Sequence, residues 1–134
     1  MHARPFREPE MALAGKRVLV VEDEQVIGLD IADTLEEAGA VCIGPFDTCA
    51  EALAAIGDEP VDLALLDISL GGEDCFPLAE RLRAAGAPFL FMTGHDPIHF
   101  RDRFPDERFV AKPFDGARLM RGLRELAAPA LAAR

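Results

Sequence analysis

A chain of 134 residues, half of them hydrophobic and 28% charged, suits one domain with a substantial core and argues against a two-domain enzyme. Its formal net charge of −10, from 14 basic against 24 acidic residues, argues against nucleic acid or an anionic membrane surface as partner, since both need clustered Lys and Arg. No apolar run reaches the roughly 18 residues of a membrane span, and the polar start Met1-His2-Ala3-Arg4-Pro5 lacks a signal-peptide core, so a cytoplasmic protein is expected. Its three cysteines, Cys42, Cys49 and Cys75, have no C-x-x-C spacing and are expected as free thiols.

Residues 1–15, with two prolines and little periodicity, read as a flexible N-terminal tail. Arg17-Val18-Leu19-Val20-Val21 then has the continuous apolar character of a strand buried on both faces. After Glu22, Asp23 and Glu24, the residues Ile27, Ile31, Leu35 and Ala38 recur at helical spacing until Gly39 ends the helix. Val41-Cys42-Ile43-Gly44 reads as a second strand, stopped by Gly44-Pro45. Thr48 and Glu51 form a capping-box pair that starts a second helix. Val61–Leu66 is a third strand ended by Asp67, and the helix after Gly71-Gly72 turns Phe76, Ala79 and Leu82 inward. Pro88–Met92 is a fourth strand, with Pro88 at its start because proline cannot donate to the ladder. Between Pro97 and Pro105 there is room for only a short helix around Ile98 to Arg103. Phe109-Val110-Ala111 is a fifth strand, and Asp115 caps a last helix that Pro129 is expected to stop. Residues 16–127 thus form one domain, with 128–134 as a C-terminal tail.

Strands alternating with helices over short connections predict an α/β fold. The expected architecture is a single-domain flavodoxin-like (βα)5 three-layer sandwich with a parallel sheet in the order 2-1-3-4-5. In such sheets ligands bind outside the carboxyl ends of the strands. There the sequence places Glu22 and Asp23, Asp67, Thr93 and Lys112. Three clustered carboxylates repel unless a cation joins them, and an incomplete all-oxygen cage suits Mg²⁺. An ammonium and a hydroxyl beside that metal suit the oxygens of a transferred phosphoryl group, with one carboxylate as nucleophile. Each residue has a plainer reading: an acidic pair at a helix N-terminus, a turn aspartate, a turn hydroxyl. Lys112 is more specific, because the chain has only two lysines (Lys16 and Lys112) among its 14 basic residues.

The segments Val20-Val21-Glu22-Asp23-Glu24, Leu65-Leu66-Asp67-Ile68-Ser69-Leu70, Met92-Thr93-Gly94 and Ala111-Lys112-Pro113-Phe114 resemble those of the receiver domains of two-component response regulators. The resemblance implies that Asp67 is the phosphoacceptor, taking phosphate from a histidine kinase or a histidine phosphotransfer protein. Glu22, Asp23, Asp67 and the backbone carbonyl of Ser69 would hold Mg²⁺. Lys112, Thr93 and the backbone of Gly94 would bind the phosphoryl group, and the Lys112–Pro113 bond would be cis. Thr93 and Phe109 would be the switch pair, acting on the face made by the fourth and fifth strands and the segments that follow them.

Asp67-Ile68-Ser69-Leu70-Gly71-Gly72-Glu73 and Phe91-Met92-Thr93-Gly94-His95 further resemble stand-alone receivers whose fourth strand ends in Phe-Ala-Thr-Gly, with Met92 in place of the alanine. Glu22 stands where many receivers have Asp, Gly94 where alanine is usual, and Phe109 carries no hydroxyl. Ser69 and His95, each two residues beyond a site residue, are candidates for tuning the lifetime of the phosphorylated state.

The expected function is that of a single-domain response regulator without an attached output. It would signal through a downstream protein, as a monomer or a phosphorylation-dependent dimer, or act as a phosphate sink, without turning over an external substrate. Two rivals are a receiver-like module that works without phosphate and a Mg²⁺-dependent phosphohydrolase. The second would carry an aspartate two residues after its nucleophile, where this chain has Ser69.

Overall fold

Five short apolar runs become five strands because each has a neighbour on which to complete its backbone hydrogen bonds. In a computed structural model, which describes residues 13–67, 75–93, 108–112 and 115–132, the chain runs β1 (Arg17–Val21), α1 (Gln25–Glu37), β2 (Val41–Phe46), α2 (Cys49–Ile56), β3 (Leu63–Asp67), α3 (Cys75–Ala84), β4 (Phe89–Thr93), β5 (Arg108–Ala111) and α4 (Gly116–Ala132). The strands form one parallel sheet in the order β2-β1-β3-β4-β5. This is the flavodoxin-like α/β order that the alternation predicts. The short helix expected around Ile98 to Arg103 lies outside the described residues.

The side-chain alternation of the strands builds two cores. Leu19, Val21, Ala64, Leu66, Phe89 and Phe91 face α2 and α3, where Ala52, Ile56, Leu78 and Leu82 meet them. Val18, Val20, Leu63, Leu65, Leu90 and Met92 face the other way, against Ile31, Leu35, Leu119 and Leu123 of α1 and α4. Burial on both faces explains why these strands read as unbroken apolar runs. Capping follows the sequence as well: the Thr48 hydroxyl accepts from Glu51 N–H at 3.0 Å, and Asp115 Oδ1 accepts from Arg118 N–H at 2.8 Å.

Several expectations need correction. The N-terminal tail does not extend to residue 15: Leu13 is fully buried in the α1/α4 core, and Gly15 N–H donates to the Gly39 carbonyl at 2.8 Å. An apolar side chain with no periodic neighbours gives no strand or helix signal, yet it still fills a gap between elements. β2 does not stop at Gly44. It runs through a cis Gly44–Pro45 bond to Phe46, with its register against β1 shifting between Leu19 and Val21. An edge strand tolerates this because its outer side has no ladder partner to lose. In α3 Phe76, Ala79 and Leu82 face the core as expected, and Leu78, fully buried, joins them. Pro129 does not end α4, whose Ala-rich last turns continue to Ala132. Finally, Cys49 and Cys75 are not free thiols but are joined as a disulfide, which leaves Cys42 free. The two residues are 26 positions apart, and they meet because α2 and α3 lie side by side on one sheet face.

Candidate functional site

At the carboxyl edge of the sheet, β1 delivers Glu22 and Asp23, β3 ends in Asp67, β4 ends in Thr93, and β5 leads into Lys112. Sheet pairing sets their relative heights. Val21 pairs with Leu66, Asp67 with Met92, and Thr93 with Ala111. Lys112 N–H then donates to the Thr93 carbonyl at 2.7 Å, so the last rung of the β4–β5 ladder fixes the lysine backbone. On the other side, Glu22 N–H donates to the Phe46 carbonyl at 2.9 Å, tying the acidic pair to β2.

Glu22, Asp67 and Thr93 are the buried polar or charged residues among those described, at 2%, 0% and 5% exposure, whereas Asp23 is exposed. Carboxylates at that depth require a counter-charge. Lys112 supplies it, with Nζ 2.8 Å from Asp67 Oδ2 and 2.9 Å from Glu22 Oε2. The aligned hydrogen bonds of this ammonium go to Asp67 Oδ2 and to Glu22 Oε1, the latter at 3.2 Å. Glu22 Oε1 also accepts from Glu24 N–H at 3.1 Å. Glu22 Oε2 is left buried without an aligned donor. Glu24, absent from the sequence expectation, contributes Oε1 at 3.7 Å from Lys112 Nζ. Its signal was the unbroken Glu22-Asp23-Glu24 run.

Burial pushes the Glu22 carboxyl up to about 7 from 4.5; the Lys112 hydrogen bond opposes the rise and Asp67 reinforces it. Burial pulls the Lys112 ammonium down, but hydrogen bonds to Asp67 and Glu22 outweigh it, and its pKa lies above the usual lysine value. The pocket thus holds a charged lysine beside an excess of negative oxygen. Glu22, Asp23 and Asp67 each offer a carboxylate oxygen within 4.8 Å of the others. Hard oxygen donors at that spacing, with Glu22 Oε2 lacking an aligned donor, fit a divalent cation. A cleft of about 260 Å³ lined by Glu22, Gln25, Gly28, Leu29, Pro45 and Asp47 opens beside the acidic pair.

The structure therefore brings Glu22, Asp23, Asp67 and Lys112 together, with Thr93 tied to them through the lysine backbone. Phe109 lies in β5, its backbone in register with Phe91. Ser69, Gly94, His95 and Pro113 lie outside the described residues, and with them the expected cis bond after Lys112 and the lifetime-tuning positions. One neighbour had no sequence signal: Cys75 Sγ lies 3.8 Å from the backbone carbonyl of Asp67.

A parallel α/β sheet with an acidic trio and a lysine at its carboxyl edge defines a class of protein, and sequence comparison narrows it. The family model described as the response regulator receiver domain matches residues 18–124, and the chain belongs to that family. Among curated relatives, it is 34% identical over 114 residues to the transcriptional activator protein IrlR of Burkholderia pseudomallei, covering 82% of this chain and 49% of that protein. It is 32% identical over 120 residues to the phosphate regulon transcriptional regulatory protein PhoB of Pseudomonas aeruginosa, covering 84% of this chain and 52% of that one. The chain spans about half the length of these relatives. Among solved structures, it is 38% identical to SdrG of Sphingomonas melonis, with a TM-score of 0.67 over 87% of this chain and 95% of that one. The CheY-like receiver domain protein of Methanospirillum hungatei superposes with a TM-score of 0.77 at 25% identity, over 90% of this chain and 100% of that chain. This is a receiver domain of two-component signalling. Among the described residues no helix is long and apolar enough to cross a membrane.

Proposed function

We propose that the protein accepts a phosphoryl group on Asp67 from a phosphohistidine of a sensor kinase or phosphotransfer protein, and signals through the resulting change of conformation. The observation that carries this reading is the Lys112 ammonium 2.8 Å from Asp67 Oδ2, at the edge of a buried acidic trio. Asp67 is the nucleophile: one carboxylate oxygen attacks phosphorus and the histidine nitrogen leaves. Lys112 moves with the charge, since an ammonium that now balances Asp67 is placed to balance the oxygens of the group Asp67 acquires. Glu22, Asp23 and Asp67 would hold Mg²⁺, with the Ser69 carbonyl as a further ligand, and the ion would neutralise phosphoryl charge that three carboxylates would otherwise repel. The Thr93 hydroxyl and the Gly94 backbone would take the remaining phosphoryl oxygens.

The readout is a population shift. Thr93 is drawn toward the phosphoryl group, and Phe109 on the neighbouring strand follows. Ser69 and His95, each two residues beyond a site residue in the sequence, tune the lifetime of the phosphoaspartate. Val26 and Leu29, exposed on α1 beside Asp23, support docking of the donor there. We read the protein as a cytoplasmic, single-domain regulator of one receiver unit from Leu13 to Ala132, turning over no external substrate. It acts on a downstream protein or drains phosphate from a kinase, as a monomer or as a phosphorylation-dependent dimer. The match over 95% of SdrG supports the single-domain reading, while the transcriptional roles in the names of the longer relatives are not carried over.

Intact mass after incubation with acetyl phosphate and Mg²⁺, and separately with a phosphorylated histidine donor, tests the reading. One phosphoryl adduct is expected, abolished by EDTA and by Asp67→Ala. No adduct from either donor would overturn it in favour of a receiver-like module that works without phosphate. Turnover of a panel of phosphate esters would favour a phosphohydrolase.

A further inference from the structure

We infer that Cys49 and Cys75 are a two-electron redox site whose state is felt at the backbone of Asp67. Both sulfurs are buried, at 2% and 4% residue exposure, and each residue is the first of its helix. Their Cα atoms are 5.0 Å apart, inside the span that a disulfide requires. Packing of α2 beside α3 on one sheet face creates this proximity.

The Cys75 sulfur faces two partners, Cys49 Sγ and the Asp67 carbonyl oxygen 3.8 Å away, and it serves them in different chemical states. As a thiol, Cys75 has one proton and donates it to the Asp67 carbonyl as a weak hydrogen bond. As a disulfide it has no proton, and that donor is lost. Oxidation therefore removes a hydrogen bond from the backbone of the site's central carboxylate and ties α3 covalently to α2. A dithiol reductant opens such a pair by thiol–disulfide exchange, which makes it a responsive element rather than a permanent staple.

A water-sized oxidant suits a buried pair, and hydrogen peroxide is of that class. The thiolate of one cysteine attacks peroxide oxygen, forming an S–O bond as the O–O bond breaks and one water leaves. The second sulfur attacks the sulfenic acid, forming the S–S bond as the S–O bond breaks and a second water leaves. Two thiols lose two electrons and two protons, and one peroxide becomes two waters. A dithiol reductant reverses the change by thiol–disulfide exchange.

The redox pair stands without the phosphoryl reading, and only its consequence for signalling rests on it. The test uses the full chain, reduced with dithiothreitol or treated with stoichiometric peroxide, then denatured with N-ethylmaleimide and weighed. Reduced protein should take an adduct on each of its three cysteines. Oxidised protein should be lighter by two hydrogens and carry an adduct on Cys42 alone, reversed by dithiothreitol. Adducts on all cysteines after peroxide, or added oxygen in place of lost hydrogen, would overturn the site.

The ¹³C shift of the Asp67 carbonyl, read through the following amide in HNCO spectra, should differ between the two states and stop responding to peroxide in Cys49→Ser. An unchanged shift in the wild-type protein would overturn the coupling. The rate of phosphoryl uptake should then differ between the states by about threefold, the effect of one weak hydrogen bond. Equal rates would overturn its role in signalling. Absence of uptake in both states would sink the phosphoacceptor reading and the signalling role together, with the thiol count unaffected.

Discussion

Thr93 and Lys112 are one structural unit: the Lys112 N–H donates to the Thr93 carbonyl at 2.7 Å, so the ends of β4 and β5 reach Asp67 together. The lysine completes the arrangement with its side chain, 2.8 Å from Asp67 Oδ2. A hydroxyl and an ammonium held by one rung of sheet can respond jointly to a charge placed on Asp67.

Replacing Lys112 with Met leaves Asp67 and Glu22 buried without their counter-charge. In EDTA the variant should lose about 3 kcal/mol of stability to urea, the scale for one missing partner of a buried pair. Phosphoryl uptake should fall by about a hundredfold, as for loss of a preorganised charge at a reacting group. Lys112→Arg should recover most of the stability and little of the uptake, because a planar guanidinium cannot occupy the point that the ammonium holds. Full uptake in Lys112→Met would show that the lysine does not serve the chemistry.

Glu22 makes stability without metal depend on pH in a defined direction. Burial lifts its pKa from 4.5 to about 7, so the folded protein holds this proton more tightly than the unfolded chain does. Its contribution is fully present below about 4.5 and lost as the pH rises through about 7. In EDTA the thermal midpoint should therefore fall across that window, by the equivalent of up to about 3 kcal/mol. Lys112, whose pKa is held above the usual lysine value despite burial, stays charged throughout. A divalent cation competes with the Glu22 proton, so the rise in midpoint caused by Mg²⁺ should be larger at about pH 8 than at about pH 6. Glu22→Gln should remove the slope, and a flat wild-type profile in EDTA would contradict it.

Leu13 belongs to the core although it lies in the segment that reads as tail. Leu13→Ala should cost about 2–4 kcal/mol in urea unfolding, the range for truncating a fully buried leucine. Removing residues 1–15 should cost at least as much. A loss below about 0.5 kcal/mol would return the segment to the surface.

What was legible in the sequence follows from what each feature rests on. Strands buried on both faces announce themselves as apolar runs, and their last residues in Val21-Glu22, Leu66-Asp67 and Ala111-Lys112 mark where polar chemistry begins. That is why Glu22, Asp23, Asp67 and Lys112 can all be read from the sequence. Contacts that depend on how helices lie against one another were not readable. Cys49 and Cys75 sit 26 residues apart, and Leu13 lies outside any periodic element. Gly44-Pro45 misled for a related reason: both residues ordinarily end strands, and only the position of β2 at the sheet edge lets the chain carry on to Phe46.

Gly44 itself connects the fold to the site. It holds φ at +109°, and an added Cβ would lie 2.7 Å from the Val20 carbonyl and 2.9 Å from Phe46 N, both backbone atoms that cannot turn aside. Gly44→Ala should therefore cost about 2–4 kcal/mol, through strain and clash together, seen as a lower urea midpoint with unchanged slope. Gly86, at φ +74° with nothing within 4 Å of an added Cβ, isolates the strain alone, and Gly86→Ala should cost about 1–2 kcal/mol. The two variants should also differ in Mg²⁺ binding by calorimetry. Phe46 must shift to admit the new methyl, and its carbonyl accepts from Glu22 N–H at 2.9 Å, so the displacement is passed to the acidic pair. Weaker Mg²⁺ binding in Gly44→Ala with unchanged binding in Gly86→Ala is the expected pattern. Equal binding in both would mean that the bend at Gly44 serves the sheet edge alone.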